Sequence, residues 1–138
     1  MRSASIAAVA TLVMGCVTQP VPSSEAKPVP EDRIHARDFL QAGPGRAFLV
    51  VTRDKGLKAS LCGMGVYIDG TLVATLRPSE QVRLFVNEGK HLVGVDSQTT
   101  ACFTDPHQMT VNVTQAEPLL LRISAGGKDG TVIEQTAF

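Results

Sequence analysis

The chain contains little of the chemistry on which most nucleic-acid-binding and sugar-binding proteins depend. Aromatic residues make up 4% of its 138 residues, with no Trp and one Tyr, so few side chains are present to stack on bases or sugars. The 13 basic and 13 acidic residues sum to a formal charge of +0, whereas phosphate binding needs a concentrated basic surface. We therefore expect no nucleic-acid partner. A chain of this length has room for one domain.

Familiar catalytic and ligand-binding motifs are also absent from the sequence. It contains no Gly-x-Ser-x-Gly elbow, no Cys-x-x-Cys pair and no His-x-x-x-His pair. Gly43-Pro44-Gly45 does not make a phosphate loop, because proline lacks an amide donor and no Gly-Lys-Ser/Thr follows. These absences predict a protein that is not an enzyme. We expect no catalytic, cofactor or metal residues and no small-molecule substrate.

The three histidines are scattered along the chain. His91 would begin a strand, where a hydrogen-bonded structural role is more common than a catalytic one. His35 precedes the predicted domain and is expected to be solvated. His107 follows Cys102 and Asp105 closely, but no further ligand has suitable spacing, so a zinc site there is only a minor alternative.

The first residues have the features of an export signal. After Arg2, the residues from Ala4 to Met14 carry no charge. They are too few to span a bilayer, which takes about 20 residues, but they suit the apolar middle of a signal peptide. Val13-Met14-Gly15-Cys16 resembles the bacterial lipoprotein box. The resemblance implies that residues 1–15 are removed, that the Cys16 thiol receives diacylglycerol and that the new amino end is acylated.

Acylation at Cys16 would hold the chain to a membrane durably, because two or three fatty chains bind a bilayer far more strongly than one. Val17 follows, in place of the Asp that resembles an inner-membrane retention signal. We therefore expect an outer-membrane protein with its domain in the periplasm. The alternative is an ordinary secretory signal with an incidental cysteine.

Residues 17–30 contain four of the eight prolines and few apolar side chains, which predicts an extended spacer between bilayer and domain. A merely disordered terminus is the alternative. Glu31 to Gln41 could form a short helix, with acidic residues at its positive end. The predicted organisation is a signal peptide over 1–15, the lipidated Cys16 with linker and possible helix over 16–42, and a β-sandwich domain over 43–138.

From Arg46 onward the apolar residues recur with a period of two, as in half-buried strands. This pattern predicts an all-β fold, a small antiparallel β-sandwich of about seven or eight strands. Asp69-Gly70 predicts a type I′ turn that places Ile68 opposite Thr71 and Val66 opposite Val73. Asn87-Glu88-Gly89 predicts a second, three-residue hairpin. The predicted strands are Ala47 to Thr52, Val66 to Ile68, Thr71 to Val73, Val82 to Val86, His91 to Val95, Met109 to Val113, Leu119 to Ile123 and Thr131 to Ala137.

The central hairpin also carries a family resemblance. The chain resembles the PEGA-type repeat of bacterial envelope proteins in three parts: Val66-Tyr67-Ile68-Asp69-Gly70, an apolar return strand and Gly89-Lys90-His91-Leu92. Residues 46–138 more broadly resemble an uncharacterised family of small lipoproteins with this core, which begins with an apolar strand ending in Arg53. The resemblance implies a β-sandwich envelope lipoprotein and implies no reaction. Cys62 and Cys102 are not part of that pattern.

With Cys16 acylated, an even number of cysteines remains for an oxidising compartment, which predicts a disulfide between Cys62 and Cys102. A loop of about 40 residues closed in this way destabilises the unfolded chain by about 4 kcal/mol in the chain-entropy model. Two buried free thiols are the alternative.

The sequence favours a lipid-anchored, non-enzymatic module that binds another envelope protein. Sheet edges and loops on a rigid scaffold are the usual docking elements, and the predicted recognition loops are Gln98 to His107 and Ala125 to Gly130. A peptidoglycan or glycan-binding module is one alternative, which the scarcity of aromatic residues disfavours. An accessory lipoprotein of a secretion or conjugation apparatus is another.

Overall fold

Alternating apolar residues build two β-sheets that face each other across one core. The computed structural model describes residues 19–56, 60–99, 102, 105–127 and 130–137. Cys16 and the predicted signal peptide lie outside the described residues, so both remain predictions. The strands are β1 (Lys27–Pro28), β2 (Arg46–Arg53), β3 (Met64–Ile68), β4 (Thr71–Leu76), β5 (Glu80–Asn87), β6 (Gly89–Ser97), β7 (His107–Val113), β8 (Leu119–Gly127) and β9 (Gly130–Gln135).

The predicted all-β sandwich is confirmed. One sheet has the order β1-β5-β2-β8-β9 and the other the order β4-β3-β6-β7. All eight predicted strands are present, and the two-residue β1 is an addition. The pairs β1–β5 and β2–β8 run parallel, so these two pairs depart from the predicted antiparallel arrangement.

The core lies between the inner faces of the sheets. Inward side chains of β2, β5 and β8 pack against those of β3, β4 and β6, and most of them have no exposed surface. Full burial of each aliphatic side chain stabilises the fold by about 1.5–3 kcal/mol. Core residues of the two sheets include Leu49, Val51, Leu84, Leu121 and Ile123 on one side and Val66, Ile68, Val73, Leu76, Val93 and Val95 on the other.

The turn of the predicted Asp-Gly hairpin is confirmed, but the predicted pairing of Val66 with Val73 is wrong. Asp69 and Gly70 both have positive φ, 50° and 83°, as a type I′ turn requires, and Ile68 faces Thr71. A bulge between Val66 and Tyr67 then shifts the register, so Val66 faces Ala74 instead of Val73. The extra residue on β4 lets Val73 and Ala74 both be fully buried.

The predicted second hairpin, over Asn87-Glu88-Gly89, is wrong. β5 belongs to the five-stranded sheet and β6 to the four-stranded sheet, so this connection crosses from one sheet to the other. Gly89 has φ of 124°. A glycine with positive φ serves a sheet-to-sheet crossover as well as a hairpin, so the local turn chemistry could not distinguish the two.

The residues predicted to form a spacer are packed on the sandwich from Gln19 onward. Val21, Ala26 and Val29 are at most 8% exposed, and β1 pairs with the start of β5. The Gln81 side-chain amide donates to the Ala26 carbonyl over 3.0 Å. The prolines therefore stiffen a segment that lies against the sheet, and the spacer prediction is wrong for the described part of it.

The predicted helix over Glu31–Gln41 is replaced by two 3₁₀ turns, Glu31–Arg33 and Arg37–Leu40. Between them Ile34 forms a bridge with Ala74 at the edge of β4. Hydrogen bonding to this open strand edge stabilises the segment more than a free three-turn helix, which is marginal in water. The Arg33 guanidinium also binds both Glu80 carboxylate oxygens, at 2.5 and 2.7 Å, and so ties the segment to β5.

A buried arginine joins the two sheets. Arg53 ends β2 and is 1% exposed. Its guanidinium donates to the Leu76 carbonyl at 2.8 Å and to the Cys62 carbonyl, so one side chain of the five-stranded sheet binds two segments of the other sheet. Burial lowers its pKa to about 10, with the charge of Glu80 opposing the shift, so Arg53 stays charged at neutral pH.

Replacing Arg53 should therefore destabilise the fold strongly. The Arg53→Met variant leaves the Cys62 and Leu76 carbonyls without this donor, and each unsatisfied buried carbonyl costs about 1–3 kcal/mol. For two such carbonyls we expect the free energy of unfolding, measured by urea titration, to fall by about 2–6 kcal/mol. Arg83→Met, at an exposed position of β5, is the matched control and should change stability little. Equal stability of the two variants would contradict the structural role of Arg53.

Candidate functional site

A cleft of about 400 Å³ lies on the outer face of the four-stranded sheet. It runs along β3, β6 and β7. Gly70 and Leu92 lie at one end, and Asp96 and the Pro106–His107 segment lie toward the other. The cleft volume falls in the range of about 300–1,000 Å³ that small-ligand and side-chain pockets occupy.

The floor of the cleft is backbone, because its central residue is Gly94. Tyr67 of β3 and Gln108 of β7 lie directly opposite Gly94 on either side. A Cβ at Gly94 would meet only ordinary contacts, the nearest being Tyr67 Cβ at 3.6 Å. Fold packing thus leaves this position open, and the missing side chain creates the space between Tyr67 and Gln108.

A second glycine positions the wall of the cleft. A Cβ at Gly65 would clash with the side-chain amide of Gln98, so the glycine allows Gln98 to lie flat on the sheet. From there the Gln98 amide donates to the Tyr67 hydroxyl at 3.0 Å. This hydrogen bond orients the ring of Tyr67 at the cleft.

The predicted disulfide between Cys62 and Cys102 is confirmed, with a Cα–Cα distance of 6.1 Å. Near it, the backbone amide of Gln98 donates to the Gly63 carbonyl at 2.9 Å. Both contacts fasten the chain after β6 to the start of β3. The same connection continues into Pro106 and His107, so the disulfide helps to hold one end of the cleft.

The two predicted recognition loops differ in the structure. The first, Gln98 to His107, contributes Pro106 and His107 to the cleft. The second, Ala125 to Gly130, is not a loop over most of its length, because β8 continues to Gly127 and β9 begins at Gly130. Gly127 pairs with Gly130, so the two strands extend further than predicted.

His91 has the predicted structural role at the start of a strand. Its Nδ1 lies 2.6 Å from a carboxylate oxygen of Asp69 and its Nε2 lies 2.7 Å from the Asn87 carbonyl. Both partners are hydrogen-bond acceptors, and they belong to two different segments of the chain. His91 thereby ties the Asp69-Gly70 turn to the β5–β6 crossover.

The other two histidines also have structural partners. His35 is exposed, as expected, and its Nε2 also lies 2.9 Å from the Thr75 hydroxyl. His107 Nδ1 accepts the Ile133 amide proton over 3.1 Å, which covers a backbone donor on the edge strand β9. Within the described ranges no three His, Cys, Asp or Glu side chains form a metal site, and Cys102 is in the disulfide.

Sequence reasoning missed the cleft, although one signal for it was present. Gly94 lies in the interior of β6 between Val93 and Val95, and an interior strand glycine often marks the close approach of a ligand or another backbone. What the sequence could not indicate is that Tyr67 and Gln108 flank it, because that depends on the pairing of β6 with β3 and β7. No family model, no curated protein and no solved structure matches the chain.

The Asp69 carboxylate should make stability depend on pH. Hydrogen bonds from His91 and the Leu92 amide lower the pKa of Asp69 below its ordinary value of 3.8. A lowered folded-state pKa contributes stability that is present above the ordinary pKa and is lost as pH falls through the folded-state pKa. We expect Asp69→Asn to flatten the acid decline of the unfolding free energy, measured by urea titration below about pH 4. Asp105→Asn, at an exposed position, is the control, and an equally steep decline in both variants would contradict the assignment.

Proposed function

We propose that the chain is a lipid-anchored, non-enzymatic protein of the bacterial envelope that binds another envelope protein through the cleft at Gly94. Two features support the placement. Val13-Met14-Gly15-Cys16 resembles a lipoprotein box, and the Cys62–Cys102 disulfide is typical of a protein in an oxidising compartment. Among the described residues no helix is long and apolar enough to cross a membrane.

The proposal of protein binding rests on the open space above Gly94. A backbone floor between Tyr67 and Gln108 accepts an inserted side chain or loop without rearrangement of the sheet. Leu92, at one end of the cleft, is 39% exposed, and aromatic and aliphatic side chains in a pocket are the usual anchors of a protein interface.

The chemistry of the cleft favours binding over catalysis. His107 Nδ1 is occupied by the Ile133 amide, so this nitrogen is not available to orient or activate a nucleophile. The residues that line the described cleft include no Ser, Thr or Cys. The Tyr67 hydroxyl accepts a hydrogen bond from the side-chain amide of Gln98. This partner orients the Tyr67 ring, and an amide is not a base that could take the hydroxyl proton.

Glycan binding is the second candidate. Tyr67, Asp96 and Gln108 line the same cleft, and an aromatic face with hydrogen-bonding groups around it can hold a sugar. One aromatic ring offers little stacking area, so protein binding is preferred. Sedimentation of the purified domain with peptidoglycan sacculi would favour the glycan instead.

The lipid anchor is tested by Cys16→Ser. Without the thiol no diacylglycerol can be attached, and we expect the variant to leave the membrane fraction and to lose incorporation of radioactive palmitate. The unchanged chain is the control. Palmitate labelling that persists in Cys16→Ser would contradict acylation at this residue.

The cleft is tested by Gly94→Gln, which fills the floor without a clash at its Cβ. A photoreactive residue in place of Leu92, in intact cells, should crosslink to a protein partner, and Gly94→Gln should abolish that crosslink. Asn112→Gln, at an exposed position of β7 outside the cleft, should leave it intact. A crosslink that is unaffected by Gly94→Gln would rule out the cleft as the docking site.

A further inference from the structure

Strands β2 and β4 end, and strands β3 and β5 begin, at the same end of the sandwich. β2 ends at Arg53, where Arg53 binds the carbonyl that ends β4 and the carbonyl of Cys62 before β3. The Ser79 amide, which precedes β5, donates to the Arg53 carbonyl at 3.0 Å. We call this the anchor end, defined by Gln19, Lys55, Leu61 and Arg77. The Asp69-Gly70 turn and Glu117 lie at the opposite, distal end.

The N-terminal segment is fastened at the anchor end by backbone hydrogen bonds. The Gln19 amide donates to the Lys55 carbonyl at 2.7 Å, and the Lys55 amide donates back to Gln19 at 3.1 Å. The Val21 amide then donates to the carboxylate of Asp54 at 3.3 Å, a residue that is 4% exposed. Arg122 binds the same carboxylate at 2.7 Å, so the attachment is part of a buried network.

The length of chain between Gln19 and Cys16 is very short. Residues span at most about 3.3–3.6 Å each when fully extended. The three steps from Cys16 to Gln19 can therefore cover only about 10 Å. A lipid on Cys16 would hold the anchor end within the thickness of the headgroup region, instead of on a long spacer.

The anchor end carries the most exposed large hydrophobic side chain of the described residues. Leu61 is 97% exposed although it directly precedes the disulfide-bonded Cys62. A large apolar side chain so fully exposed is suited to a partly apolar environment, such as the upper part of a bilayer. Lys55 and Arg77 are exposed at the same end, and cationic side chains are attracted to anionic phospholipids. Asp105 lies there too, so the orientation rests on the short tether and on Leu61 rather than on charge.

We propose that the sandwich stands on the membrane by its anchor end, with Leu61 in the headgroup region of the phospholipid surface. This inference rests on the proposed acylation of Cys16. The cleft then runs away from the bilayer, from Pro106 and His107 near the membrane to Gly70 at the distal end. A partner enters the cleft from the periplasmic side.

Photocrosslinking to lipid tests this orientation. A benzophenone amino acid replaces Leu61 in the full, acylated chain, which is reconstituted in vesicles of phosphatidylethanolamine and phosphatidylglycerol with radioactive acyl chains. Replacement of the exposed distal residue Glu117 is the matched control. We expect several-fold more radioactive phospholipid on the chain labelled at 61 than on the chain labelled at 117.

Two further measurements separate the inference from the proposed function. Vesicle flotation of Cys16→Ser reports anchoring alone, and retention on the vesicles would overturn the lipid anchor. If the acylated chain floats with vesicles but positions 61 and 117 label equally, the orientation is overturned while the anchor stands. A long Gly-Ser insertion between Val17 and Thr18 should reduce labelling at 61, and unchanged labelling would overturn the role of the short tether.

Discussion

The buried guanidinium of Arg53 is the interaction on which the sandwich depends most. A charged group that is 1% exposed is costly unless its donors are satisfied, and Arg53 satisfies them on the carbonyls of Cys62 and Leu76. The Leu76 carbonyl ends β4 of the opposite sheet and Cys62 lies just before β3 of that sheet, so the arginine joins the two sheets at this corner. The disulfide at Cys62 holds the same corner covalently.

Two further segments of the chain are attached at this corner. The N-terminal segment joins it through Gln19 and Lys55, and the loop that carries Cys102 leads from it into the cleft. One end of the sandwich is therefore rigid, crosslinked and close to the proposed acylation site. At the distal end, His91 connects two segments through its hydrogen bonds to Asp69 and Asn87. The cleft extends between these two fixed ends, which keeps its walls in place.

The sequence predicted the positions of the strands well, but it predicted poorly which strands pair with each other. A period of two identified most of the strands, because a strand with one buried face must alternate, and a nearly continuous apolar run identified β2. The hairpin over Asn87–Gly89 was wrong because β5 pairs with β2 and β6 pairs with β3, and alternation is the same whichever strand lies beside it. The spacer was wrong because proline content indicates stiffness and not whether a segment finds a surface. The cleft was missed because Tyr67, Gly94 and Gln108 are far apart in sequence.

By itself the sequence determined the inward faces of the strands, the Asp69-Gly70 turn and, through the count of cysteines, the disulfide. The first two follow from local geometry and from φ preference, and the disulfide follows from the even number of cysteines left when Cys16 is set aside. Only the tertiary structure decided which strands pair, that residues from Gln19 pack on the sheet, and that one glycine opens a cleft. Each of these depends on contacts between distant segments, where many pairings satisfy the same pattern and packing of the whole core selects one.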